Sequence, residues 1–498
     1  MAAIITEKFR QHNATQFFES FTESSASTYY LFVGKSTAYT SSTTGGSDSS
    51  PPTPSDSPSD TEFYAWDSML AAKNVTSSDV SFSIPRRNWV NGTTYDMYDD
   101  TVSSSSTATS GASNLYDSTF YFMTSDYRVY KVLDNNGGTA YSGAEPTSTS
   151  TGPFALGGYV LKYMYQVTTS EAAKYLTSDF IPVSDDSTIS AAAVDGKIES
   201  LKITAGTGYT NGTYYAAVYG DGTSAGTSSG AIVRITVSGG TIQSFGLTAG
   251  SDTTIHAGGA GYTFGTVNLA SGFTFSDSSL SSASGIGGTG GSIEVVISPK
   301  NGHGNSSIVE LGGHFVMTAT TLTQAENDDI TTANDFRQVG LVVDPTNFGT
   351  STVASASTRR QTFVVKASSI SGTFEVDEKI TQATTGAVGK VVEFDSTNSL
   401  LYFQQERFGD FGTNSTTGDH SVFTGTNVIT GATSSATFTP SSDSETITLA
   451  NNNTLATTSG YANPELQADS GNIVYLENRK PIQRDSDQTE DIKLIIEF

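Results

Sequence analysis

Cysteine is missing from all 498 residues, which excludes disulfides, thiol nucleophiles and cysteine-held zinc or iron–sulfur centres. Charge is scarce as well, at 15% of residues, and the basic sign is the scarcer one: 25 Lys and Arg against 50 Asp and Glu, a net charge of -25. The few cations are scattered along the chain, so the surface repels a phosphate backbone and nucleic acid is not an expected partner. The acidity fits a solvated, self-repelling surface that keeps a building block soluble before it assembles. No run approaches the ~18 apolar residues of a membrane span, and Met1 to Arg10 lacks the basic-then-apolar order of a signal peptide. Folding in a reducing cytoplasm fits, and triplets such as Asn74-Val75-Thr76 are then chance and not glycosylation sites.

What the chain has in quantity is Gly, Ser, Thr and Tyr, a composition of many short strands joined by polar loops and not of a helical bundle. Its length is enough for two to four domains. Thr6 to Phe21 is expected as a helix, with Thr6 as its cap and Phe9, Phe17 and Phe21 on a core-facing stripe. Tyr29 to Val33 reads as a buried strand, and Ser41 to Asp60 as an exposed loop too polar to pack. Phe120–Tyr130 and Tyr159–Val167, dense in Tyr, Val and Leu, are expected core strands. Thr168 with Glu171 forms a capping box that opens a short helix through Leu176.

From about 184 to 300 the chain turns Gly-rich and repeats itself. Gly196-Lys-Ile198, Leu201 and Gly208-Tyr-Thr210 are echoed by Gly240-Thr-Ile242, Leu247 and Gly261-Tyr-Thr263, each copy expected as strand, turn and strand. A second repeat lies between about 350 and 460, where Gly372-Thr-Phe374 and Ile380 to Ala387 are echoed by Phe423-Thr-Gly425 and Ile429 to Ala436. Ile492, Leu494, Ile496 and Phe498 alternate with Lys493 and Glu497 as in a half-buried strand. The expected fold is mainly β with a few short helices: a layered β-sandwich core with inserted small β modules. In residue terms the core is 1–183, 301–349 and 461–498, and the inserts are 184–300 and 350–460.

Motifs with a chemical look fail on context. Gly34-Lys-Ser-Thr37 resembles the end of a phosphate-binding loop, but Tyr29 stands where its first Gly belongs. Gly285 to Gly290 matches the dinucleotide fingerprint yet precedes a strand, not a helix N-terminus. His12, His256, His303, His314 and His420 show no paired helical spacing; His303 with His314 is a weak metal pattern, and Asp99-Asp100 and Asp328-Asp329 read as solvated loop acids. No metal, cofactor or catalytic residue is expected.

Several segments, in order along the chain, carry a resemblance. They are Ile5 to Arg10 with Phe17-Phe18; Tyr64-Ala-Trp66-Asp67; Ile84-Pro-Arg-Arg-Asn-Trp89; Tyr127 to Val132; Gly158 to Tyr165; Gly302-His-Gly304 with Glu310-Leu-Gly312; Asn334 to Leu341; Ile473 to Ile482; and Asp487 to Ile492. Together they resemble the baseplate wedge subunit, gene product eight, of T-even-like contractile-tailed bacteriophages, in its long marine-phage form. The resemblance implies a structural, non-enzymatic protein of the virion tail baseplate. It would assemble in the host cytoplasm as a homodimer bound to other wedge proteins and rearrange when the tail contracts.

Such a subunit needs large interfaces, and Arg86, Arg87, Trp89, Glu477, Asn478 and Arg479 are the candidate anchors, since Trp and Arg dominate binding energy. The competing structural reading buries Trp89 and ties the Arg pair inside the chain. A second reading of function has the repeat inserts recognise host glycans, with Tyr209 and Tyr262 stacking on sugars. A third, glycan hydrolysis, needs two carboxylates facing each other at ~5–10 Å, and no such pair is legible.

Overall fold

The computed structural model describes residues 6–23, 25–40, 45–55, 60–227, 230–270, 274–406, 419–449 and 452–498. The protein is mainly β, built from antiparallel sheets with a few short helices, as the composition predicts. No helix among the described residues is long and apolar enough to cross a membrane. The chain divides into two compact units: residues 1–16, 81–317 and 495–498 form unit one, and 17–80 and 318–494 form unit two.

Unit one contains a four-stranded sheet in the order Tyr121–Met123, Arg128–Asp134, Tyr159–Gln166, Phe154–Leu156. One of its hydrophobic clusters joins Tyr95, Phe122, Tyr130, Tyr141, Tyr159 and Tyr163. Tyrosine suits this core because each ring buries a large apolar area while its hydroxyl finds a backbone carbonyl: Tyr130 donates to Ser148, Tyr141 to Ala144 and Tyr159 to Thr139. The expected capping box is formed, with the Thr168 hydroxyl accepting from the Glu171 amide at the start of helix Thr169–Tyr175.

The Gly-rich region of unit one is a seven-stranded sheet with a hydrophobic cluster that includes Ile198, Leu201, Val218, Val233, Ile235, Ile242 and Ile293. The equivalent repeat positions Ile198 and Ile242 are both buried, as are Tyr209 and Tyr262. The strands differ between copies: the first supplies the ten-residue strand Ser200–Tyr209, the second only Thr241–Ile242 and Thr254–Ala257. Leu247 is exposed in the second copy, so the hydrophobic position that would extend its strand has no core to face. Gly222 lies so close to the Tyr262 ring that a Cβ there would stand 2.2 Å from it.

Unit two contains a five-stranded antiparallel sheet in the order Thr358–Arg360, Met69–Val75, Tyr29–Gly34, Phe336–Val343, Asn472–Ile482. Tyr30, Phe32, Trp66, Met69, Val342 and Leu466 pack on it. The second repeat forms a seven-stranded sheet that closes on itself, because Phe363–Ser371 pairs with both Thr437–Pro440 and Leu400–Gln404. Six strands therefore make a small barrel, which removes open edges. The repeat is visible in its core: Phe374 and Phe423, Ile380 and Ile429, and Ala387 and Ala436 stand 49 positions apart and all are buried. The two copies meet antiparallel with Thr381 opposite its own equivalent, Thr430.

Glu378 ties the copies together. Its carboxylate accepts from the amides of Glu375, Thr433 and Ser434 and from the Ser434 hydroxyl, at 2.7–3.0 Å. Burial pushes this carboxyl up, but the hydrogen bonds outweigh it and hold it below the usual range. Glu378→Gln turns one of the two acceptors into a donor facing other donors. Amide hydrogen exchange at Thr433 and Ser434 is then expected to accelerate by roughly tenfold or more, the value of a charge-assisted hydrogen bond.

Two expectations need correction. The N-terminal helix runs Glu7–Glu19 with the Thr6 hydroxyl accepting from Phe9 N as foreseen, and Phe17 and Phe21 pack on Tyr29. Phe9, however, is 53% exposed. A four-residue step overshoots one turn by about 40°, so two steps carry Phe9 about 80° away from Phe17 and off the stripe. The polar stretch from 41 to 60 is also not simply loose: Asp48 takes two hydrogen bonds from Arg337, which hold its carboxyl below the usual range. Residues 41–44 and 56–59 of that stretch lie outside the described residues.

Candidate assembly surfaces

The six anchors named from the sequence fall in two places. Arg86, Arg87 and Trp89 follow strand Val80–Pro85 in unit one, where Ile84 is fully buried and fixes the segment against the core. Arg86 donates to the carbonyl of Thr177 at 2.7 Å and to Asn88 at 2.9 Å. Arg87 lies over the Tyr121 ring at 4.4 Å and donates to the Tyr116 carbonyl. Trp89 meets Tyr141 edge-on and packs against the tyrosine cluster. Each of these side chains therefore works inside its unit through carbonyls and rings. Two donors are left over: Arg87 Nη1 and Trp89 Nε1 are buried and have no hydrogen-bond partner among the described residues.

Glu477, Asn478 and Arg479 sit on strand Asn472–Ile482 of unit two, which forms one edge of the five-stranded sheet. Glu477 and Arg479 point to the same face and pair at 3.1 Å, with Arg479 about half exposed and Glu477 partly buried. Asn478 accepts from Gln338 and donates to the Pro52 carbonyl. Beside it a cavity of about 280 Å³ is lined by Lys35, Tyr39, Pro52, Ser68, Gln338 and Glu406, among others. Burial pushes the Lys35 ammonium down and the Glu406 carboxyl up, and each opposes the other's shift. Lys35 donates to Thr37 at the end of a strand, with no helix following, so Gly34 to Thr37 is not a phosphate loop.

Gly287–Val296 is a strand, so Gly285 to Gly290 lacks the helix that a dinucleotide needs. His303 and His314 are held apart in function: His303 is fully buried near Glu310 at 4.0 Å, and His314 faces Glu7 at 3.4 Å. No group of three or more His, Asp or Glu able to hold a metal occurs among the described residues. Asp100 is exposed in a turn as expected, but one member of each acid pair is not a solvated loop acid. Asp99 is buried and paired with Lys202 at 2.5 Å, and burial pushes Asp329 up to about 6 while it accepts from Thr358.

Sequence reasoning missed the most charged part of unit one's interior. Lys131 and Lys162 lie opposite each other on adjacent strands, both buried. Lys131 is paired with buried Glu310 and stands 4.7 Å above the Tyr98 ring. Glu310 also accepts from the Gly304 amide, and Lys162 donates to the Thr151 carbonyl. Burial, with three lysines nearby, drives His303 well below its usual range, so it is neutral.

Among the described residues, none of these arrangements joins a nucleophile to a base or gathers ligands for a metal. The family described as Bacteriophage T4, Gp8 (Phage-Gp8) matches residues 3–146 and 444–498. That match takes in the Ile84 to Trp89 and Ile473 to Ile482 segments, whereas Gly158 to Tyr165, Gly302 to Gly312 and Asn334 to Leu341 lie outside it. Comparison with curated proteins gave no match.

Proposed function

We propose that the chain, whose residues 3–146 and 444–498 match the family of Bacteriophage T4 Gp8, is a member of that family that holds wedge proteins together and takes part in baseplate rearrangement on contraction. The family is one of structural baseplate wedge proteins, and the coarse reading follows from it: a virion component at the tail baseplate, in association with other baseplate proteins. The finer reading is a non-catalytic subunit that forms a homodimer and assembles in the host cytoplasm. The observation that carries it is the family match at both ends of one chain.

In this reading 1–183, 301–349 and 461–498 are the shared body, and 184–300 and 350–460 are modules added to it. What supports the division is that each insert brings apolar residues of its own, one cluster drawn mostly from 198–297 and one from 363–461. The interface anchors are Arg86, Arg87 and Trp89 on one surface and Glu477, Asn478 and Arg479 on another. The unpartnered donors of Arg87 and Trp89 favour the first surface, since a buried N–H without an acceptor costs roughly 1–3 kcal/mol until a partner or water supplies one.

The glycan reading loses its platform. Tyr209 and Tyr262 are buried, and their hydroxyls accept from the amides of Gly291 and Ala231 at 2.9 Å, so neither ring is open to a sugar. Electron microscopy of virions bearing a gold-binding tag on this chain tests the proposal. Gold at the tail tip is the expected result; gold on the head, or virions without the chain, sinks it.

A further inference from the structure

Strand Asn472–Ile482 is eleven residues long and is the last strand in its sheet. Phe336–Val343 pairs with one side of it, and no strand among the described residues pairs with the other. A long free edge presents unpaired N–H and C=O groups and is a template for another strand.

Two observations fix which peptides face outward. The Arg479 amide faces the hydroxyl of Tyr39, and that hydroxyl donates to the Arg337 carbonyl at 2.6 Å, so the backbone at 479 points toward the neighbouring strand. The Tyr475 carbonyl points the same way, since a Cβ built on Gly340 would lie 2.8 Å from it. Backbone groups alternate from side to side along an antiparallel strand. The pairing is regular between these two markers, with register shifts on either side at 473–475 and 478–482, so Leu476 and Asn478 offer their N–H and C=O to the open side.

The sequence is self-complementary about Asn478. With Asn478 placed opposite Asn478 of the partner subunit, Glu477 comes opposite the partner's Arg479, and Arg479 comes opposite the partner's Glu477. These are non-hydrogen-bonded pairs, whose side chains stand roughly 4.5–5.5 Å apart at Cβ, within reach of an ion pair. Asn478, on the open side, exchanges backbone hydrogen bonds with Asn478 of the partner subunit. A two-fold axis satisfies each contact twice.

We propose that a second copy of this chain pairs antiparallel along this edge, with the axis at Asn478. The proposal rests on the homodimer reading above and names its surface. The test uses the full-length chain in sedimentation equilibrium, with circular dichroism to show that each variant is folded. Glu477→Arg places two positive charges on the edge and Arg479→Glu two negative ones. Each variant alone is expected to raise the dimer dissociation constant at least about tenfold, and an equimolar mixture to form a heterodimer of near wild-type affinity. Variants that dimerise like the wild type, or that weaken but fail to combine on mixing, overturn the edge pairing while leaving a dimer elsewhere. A wild-type chain that stays monomeric at every concentration removes the homodimer reading itself.

Discussion

Glu310→Gln is expected to destabilise unit one by about 3–5 kcal/mol, because it removes the carboxylate paired with buried Lys131 and leaves only the more distant charge of Glu199 to oppose it. The cost is set by desolvation: Lys131 has no exposed surface, and burial already pushes its ammonium below the usual range against the pull of Glu310. Lys162 sits directly across the strand pair, so the loss also exposes two cations to each other. Gln still offers an oxygen to the Gly304 amide, but its NH2 group then faces the Lys131 ammonium, donor against donor. The double variant Lys131→Met with Glu310→Gln is expected to recover more than half of the loss, since Lys131 is then no longer a buried charge without its partner and no longer faces Lys162. Calorimetric melting of the three proteins checks this. Equal melting of single and double variants would contradict it.

The second large effect is on pH dependence. Asp134 is buried at the end of strand Arg128–Asp134, and burial pushes its carboxyl up to about 6, against the pull of a hydrogen bond from the Asn136 amide. A carboxyl with a raised folded-state pKa binds its proton more tightly in the native chain than in the unfolded one. Its contribution to stability is therefore full below about pH 4 and is lost as pH rises through about 6. The interval from 3.8 to about 6 corresponds to roughly 3 kcal/mol. Asp134→Asn keeps the acceptor for Asn136 and removes the titration. Relative to wild type it is expected to gain up to about 3 kcal/mol above pH 6 and little below pH 4. Urea unfolding of both proteins from pH 4 to 8 reads the difference, and two parallel curves would refute it.

Both effects lie in a region that the sequence shows only dimly. Lys131 and Lys162 each interrupt runs of Val, Leu and Tyr, and in a single sequence a Lys among strand residues looks like the solvent-facing half of an alternation. Its burial follows from Glu310, which is 179 positions from Lys131, and no local pattern announces that meeting. The strands themselves were legible, because Tyr and Val fit a pleated half-buried surface and the strand ends carry turn residues. The capping box at Thr168 was legible for the same reason: its whole mechanism spans four residues.

The repeats were half legible. Ile380, Ala387 and their equivalents mark a hydrophobic rhythm that does build one core, but closure of the barrel depends on Phe363–Ser371 meeting Leu400–Gln404, a long-range pairing. In the Gly-rich insert the rhythm overpredicted, since Leu247 keeps its place in the motif without a core to enter. Of the six anchors, the Arg87 and Trp89 side chains could not be sorted from sequence, because a Trp that packs on Tyr141 and one that packs on a neighbour look alike. Glu477 to Arg479 stand out only once the strand is known to be an edge.

The central claim is that this chain is a structural subunit whose work is done in company with other baseplate proteins. Light scattering of the purified chain, alone and then mixed with the other baseplate proteins of the same genome, tests that most directly. The account predicts a stable dimer that enters a larger complex only when those proteins are added. A monomer whose mass does not change in their presence would contradict it.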